Sequence, residues 1–126
     1  MKAKTKTRVE RIMDRENYPV TLAPLTDDDI TIIVEGLRSV ADKDSDFAQI
    51  APDLISKVQS RDSVDVKERV LLAMALRERL FKRGTQGFPR VEQIAKKIEC
   101  HKLLLAQLGD WLQFSTRARS ADDTSE

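Results

Sequence analysis

Apolar residues recur along this chain at steps of three and four, the spacing of one face of an α-helix. Ile30, Ile33, Val34, Leu37, Val40 and Ala41 form one stripe, and Phe47, Ile50, Ala51, Leu54, Ile55 and Val58 form the next. Thr26 precedes the first stripe and is followed by Asp27, Asp28 and Asp29, a hydroxyl cap with three carboxylates at the positive end of a helix dipole. The run from Ile30 to Val34 is β-branched, which favours a strand, but the period continues too far for one. A helix is predicted over 26–42. Asp46 with Gln49 three residues on makes a capping-box-like start for a second, over 46–60. Pro52 removes a helical hydrogen bond there and predicts a kink or a restart.

Ser63 or Asp65 starts a third helix, over 64–83, which stops at Gly84. Val70 to Leu76 is apolar at every position, the mark of a helix buried all round, so this one is expected to be central. After the turn Gly84-Thr85-Gln86-Gly87, Pro89 suits a first helical position. Ile94, Ala95, Ile98, Leu105, Leu108 and Leu112 then predict one continuous helix over 89–114. At the other end, Val9, Ile12 and Met13 support only a weak helix, and Asn17-Tyr18-Pro19 and Ala23-Pro24 force extended backbone. The expectation is an all-α fold, an irregular bundle of four main helices plus a weak N-terminal one. Residues 1–7 are read as a disordered basic start, 8–116 as a single domain and 117–126 as a disordered tail.

Composition supports this picture. Glycine and proline number four each in 126 residues, and charged residues reach 34% against about 25% in an average domain. That argues against β-sandwiches and Gly-rich nucleotide-binding sheets. One cysteine and one histidine cannot build a disulfide framework, zinc finger or iron–sulfur cluster within a chain, so no metal or other cofactor is expected. No apolar run approaches the roughly 20 residues that cross a bilayer, and a reducing cytoplasm is the expected setting.

Charge is sorted along the chain although it sums to +1. Residues 1–15 hold six basic side chains against two acidic, 16–65 four against eleven, and 66–119 twelve against five. Either the two halves neutralise each other within one bundle, or a basic surface is left for an acidic partner.

Candidate chemistry is sparse. Asp42, Asp44, Asp46 and Asp53 echo a calcium-loop spacing, but Phe47 stands where a glycine is needed and Pro52 lies inside the loop. Asp27 to Asp29 are accounted for by helix initiation. Cys100 and His101, adjacent on a helix, point about 100° apart and cannot pair as nucleophile and base. No catalytic residue is assigned, and no small-molecule substrate is expected. Val91 to Cys100 partly resembles the first helix and turn of a helix-turn-helix, a degenerate one over 91–112, with Glu99 where the turn glycine belongs and few polar side chains beyond His101 to reach bases.

Two functional readings remain. A non-enzymatic adaptor or inhibitor acting by protein contact is favoured by the surplus apolar face of the last helix, where eight of the twelve residues from Leu103 to Phe114 are apolar. Leu104, Leu108, Trp111 and Phe114 are its candidate interface, with a homodimer the simplest cover. The alternative is a nucleic-acid-binding regulator using Arg77, Arg79, Lys82, Arg83, Arg90, Lys96, Lys97 and Lys102 on phosphates.

Overall fold

Three helices begin at reciprocal caps that link a residue to the one three places on. The computed structural model describes residues 7–109. Thr7 accepts from the Glu10 amide while the Glu10 carboxylate accepts from the Thr7 amide, which starts α1 (Arg8–Arg15). Thr7 is therefore part of the folded unit rather than of a disordered start. Thr26 and Asp29 do the same for α2 (Asp27–Lys43), and Asp65 and Glu68 for α4 (Val66–Arg83). Between them, α3 (Ser45–Gln59) is capped by Asp44, whose carboxylate accepts from the amides of Asp46 and Phe47, a start slightly earlier than the sequence indicates. It passes through Pro52 without ending. The carbonyl of Ala48 loses its helical donor there, but Ala48 and Pro52 are both exposed, so water can serve it.

The extended stretch after α1 contains β1 (Val20–Thr21), paired antiparallel with β2 (Ser63–Val64), Val20 opposite Val64. No sequence pattern announces this pair. It is only two residues long on each side, too short to show alternation. Yet it buries Val20 and Val64 and, with the Leu22 amide on the Asp62 carbonyl at 3.0 Å, ties the connection to the bundle.

At the centre α2 crosses α4 closely. Gly36 makes this possible, because a methyl group at its α-carbon would overlap the Ala75 carbonyl. Leu72, Leu76 and Leu80 of α4 and Ile33 and Leu37 of α2 are fully buried there. The central position of α4 is as expected, but its burial is not all round: Met74 and Val70 are half-buried and Lys67 is exposed.

Past Gly84, at φ 82°, a 3-10 turn (Thr85–Gly87) leads into α5 (Phe88–Lys97). The predicted continuous helix then fails. The chain turns at Ile98–Cys100 and starts a new helix, α6, over residues 101–109. Glu99 takes the left-handed conformation, φ 51°, and the Cys100 amide bonds back to the Ala95 carbonyl at 2.9 Å, a Schellman-type ending with glutamate where glycine is usual. Something must hold this residue in a conformation that L side chains resist.

Candidate functional site

What holds it is Arg69. Its side chain is fully buried, one turn into α4, and its guanidinium donates to the Glu99 carbonyl at 2.8 Å, to the Tyr18 carbonyl at 3.0 Å and to the Glu16 carbonyl at the end of α1. The Glu16 carboxylate lies 3.6 Å away, and the Tyr18 ring sits 4.8 Å beneath the guanidinium carbon. One cation thus fastens three irregular segments: the end of α1, the connection before β1, and the α5–α6 turn. Only arginine offers a fork of donors wide enough for this. The signal was present in the sequence, since Arg69 falls in phase with the buried Val66, Ala73, Leu76 and Leu80 of its helix.

The eight cations proposed for phosphate contact are mostly engaged within the chain. Arg90 lies 2.6 Å and Lys97 2.7 Å from the carboxylate of Asp29, which is fully buried at the start of α2. Burial alone would raise the Asp29 pKa, but hydrogen bonds from Lys97, from Thr26 and from Arg90 outweigh it and hold the pKa at about 2. Asp29 is therefore more than a helix start; it clamps α5 to α2. Arg79 and Arg83 both reach Glu35, at 2.7 and 3.3 Å. Lys102 lies 3.7 Å from Glu16 and Lys96 3.9 Å from Glu92. Arg77 stacks on Phe81 at 5.6 Å, and Lys82 is exposed. Carboxylates of the acidic stretch meet cations of the basic one at each of these clamps except Lys96, so the sorted charges close on each other inside one molecule.

The candidate interface divides in two. Leu104 and Leu108 are fully buried within the chain, in the same core cluster as Ile12, with Val9 and Met13 packed on that cluster. They offer no face to a second copy while α6 stays docked. The turn at Ile98–Cys100 explains the change: it redirects α6, so that these leucines find cover in the bundle. Trp111 and Phe114 lie outside the described residues.

Helix α5, the turn and α6 have the outline of a helix-turn-helix, and Glu99 occupies the left-handed turn position. Of α6, however, only Lys102 is exposed; His101, Leu105 and Gly109 are half-buried, Ala106 packs on the core, and Gln107 donates to the Val70 carbonyl at 3.1 Å. Lys102 and His101 are the polar side chains left on that side to address a base edge, and His101 is held by Glu92.

Cys100 is fully buried, and burial pushes its thiol pKa up to about 12. A protonated, enclosed thiol is a poor nucleophile. His101 sits with Nε2 3.0 Å from Glu92 rather than facing a reactive group. Around them Arg15, Glu16, Tyr18, Lys96, Glu99, His101 and Lys102 line a shallow cleft of about 440 Å3. The Tyr18 hydroxyl donates to Glu99 at 3.2 Å, so the polar groups here are turned to one another. Asp42 to Asp53 form no loop, since residues 45–53 are helical, and no group of three metal-binding side chains lies together among the described residues.

A second cleft, of about 580 Å3, runs between α3 and α4. Leu54 and Leu71 form its apolar part, Ile50 stands beside them 45% exposed, and Asp53, Asp65 and Glu68 rim it. Lys57 also lines it, but its ammonium is bound to Glu68 at 2.8 Å. Sequence reasoning assigned Ile50 to the core stripe and missed this surface. No helix among the described residues is long and apolar enough to cross a membrane. Comparisons with protein-family models, with curated proteins and with solved structures found no match to this chain.

Proposed function

We propose that this chain is a non-enzymatic protein that acts by contact with another protein, and that α3 is the helix that makes the contact. The observation that carries the reading is the state of the charges. The cations of the second half are drawn into clamps at Asp29, Glu35 and Glu16, whereas Asp46 and Asp53 remain exposed on α3 on either side of Ile50. An exposed isoleucine between carboxylates, beside an apolar cleft, suits a partner segment that presents an aliphatic or aromatic side chain flanked by lysine or arginine. The buried thiol of Cys100 and the mutual pairing of the polar groups near His101 support a role without catalysis.

Nucleic-acid binding is the second reading, favoured by the outline of α5, the turn and α6. One experiment separates the two. The tagged chain is used to capture proteins from its own cell extract, and in parallel its anisotropy titration with labelled duplex DNA and RNA is run at low salt. Contact through α3 is supported by a captured protein that Ile50→Asp and Asp53→Lys both release, with no nucleic-acid binding at tens of micromolar. Binding that falls steeply with salt and disappears in Lys82→Glu with Arg83→Glu overturns it in favour of the second reading.

A further inference from the structure

Tyr18, Ile50 and Phe81 are the exposed large apolar side chains among the described residues. Tyr18 is engaged within the chain, its hydroxyl on Glu99 and its ring under Arg69. Ile50 and Phe81 differ in the charge around them. Ile50 belongs to the α3–α4 cleft, whose rim carries Asp53, Asp65 and Glu68, with the Lys57 ammonium already bound to Glu68. Phe81, 48% exposed in the last turn of α4, has the Arg77 guanidinium carbon 5.6 Å from its ring and the exposed Lys82 next in sequence. The first is an apolar socket with an acidic edge, and the second is an aromatic side chain between cations. Within one chain they cannot meet, because ten residues of helix, about 15 Å, separate Phe81 from Leu71 in the wall of the cleft.

We infer that two copies of this chain pack α4 against α4 about a twofold axis, with Phe81 of each seated in the Ile50–Leu54–Leu71 cleft of the other. The helix supplies the register. Phe81 lies five residues after Leu76 and Leu71 five before it, so an axis level with Leu76 brings Phe81 of an antiparallel second copy to the height of Leu71, and symmetry repeats the contact in reverse. The two residues stand about 80° apart around α4, which an inclined crossing of the helices takes up. Met74, half-buried, falls between them on the outward side, near the axis. In the same register Lys82 comes level with Val70 of the other copy, about 3 Å along the helix from Glu68. A parallel pairing would instead set cation against cation, so the charges select the antiparallel one. An aromatic side chain flanked by cations is the chemistry the acid-rimmed cleft accepts, and a second copy carries it.

Analytical ultracentrifugation of the full chain, taken up to hundreds of micromolar, tests this. The wild type should dimerise, and Phe81→Asp and Ile50→Asp should each weaken the dimer about tenfold or more. Both positions are exposed, so far-UV circular dichroism should hold, and Lys96→Glu, beside the Tyr18 cleft, should dimerise as the wild type does. Asp53→Lys and Lys82→Glu each set like charges across both contacts and should separate the copies. An equimolar mixture of these two variants restores opposite charges at both contacts and should dimerise again, a result that does not depend on any apolar substitution. A wild type still monomeric at hundreds of micromolar overturns the proposal. So does a dimer that Phe81→Asp or Ile50→Asp leaves intact, which assigns association to another face, and a mixture that stays monomeric overturns the reciprocal pairing. The dimer uses the cleft of the contact reading but needs no foreign partner, so a wild type that dimerises while capturing no other protein overturns that reading alone.

Discussion

Asp29 and Glu35 lie on the same helix and do formally the same thing, each holding two cations from the second half of the chain. Asp29, at the start of α2, takes Arg90 and Lys97 of α5; Glu35, farther along, takes Arg79 and Arg83 of α4. The difference is water. The Asp29 side chain is fully buried, and its pKa stays near 2 only because the bonds from Lys97, Thr26 and Arg90 overcome the penalty of burial. The Glu35 side chain is 44% exposed, and its pKa is lowered chiefly by the bond from Arg83, with Arg79 adding to it. Clusters with the same charges, one carboxylate and two cations, therefore carry different weight. A carboxylate that water can reach competes with hydration on equal terms, while a buried one, even with cations that are themselves partly exposed, is left as an uncompensated charge when they are removed.

If burial sets the weight, Arg69 must exceed both. Arg69→Met would leave the carbonyls of Glu16, Tyr18 and Glu99 without a donor and Glu16 without its enclosed counter-ion, a loss of about 3 to 5 kcal/mol. Urea unfolding should show it, together with greater amide exchange at Ile98–Cys100. A loss below about 1 kcal/mol would mean that the turn is held by local bonds alone, and burial would cease to explain the contrast. Leu72→Ala provides an apolar reference at the α2–α4 crossing, where the fully buried leucine should give about 2 to 5 kcal/mol.

Asp29→Asn comes next, at about 2 kcal/mol, the size of a shift from the ordinary 3.8 to about 2. The sign follows from the direction. A carboxylate whose pKa is depressed in the folded state adds stability that is complete above about pH 4 and is lost as the pH falls toward 2. The wild type should therefore lose stability more steeply than the variant across that window, and the two curves should converge at its acid end. Parallel curves would show that Arg90 and Lys97 do not clamp this residue.

The same distinction between local and distant causes explains how much is legible in the sequence. Thr26, Gly84 and the stripes of α2, α3 and α4 act on neighbours within one or two turns, so each helix can be located from its own residues. The β1–β2 pair joins residues far apart in sequence and is too short to show a pattern. The break at Glu99 is concealed because the donor that stabilises its carbonyl comes from Arg69, on another helix. Assuming a straight helix makes Leu104 and Leu108 look like surplus surface; once the chain turns, they belong to the core. The sorted charge is visible, and mutual neutralisation is one of the two outcomes it allows. Which carboxylate is buried is not visible, since Asp27, Asp28 and Asp29 differ only in the face of α2 on which they fall, and only Asp29 is enclosed.

The smallest effect completes the comparison. Glu35→Gln keeps the shape of the side chain and removes the charge that Arg79 and Arg83 share. Both arginines can then turn to water, and no buried group is left unpaired, so the loss should stay below about 1 kcal/mol and shrink further in high salt. Thermal or urea midpoints of Glu35→Gln, Arg79→Ala and the double variant form a cycle that isolates the pair from other consequences of each change. A coupling as large as the loss in Asp29→Asn, and indifferent to salt, would show that the exposed pair is as strong as the buried one. Weak, salt-sensitive coupling at Glu35 beside a strong, pH-limited one at Asp29 would place the difference in the access of water, since the charges and their number are the same at both.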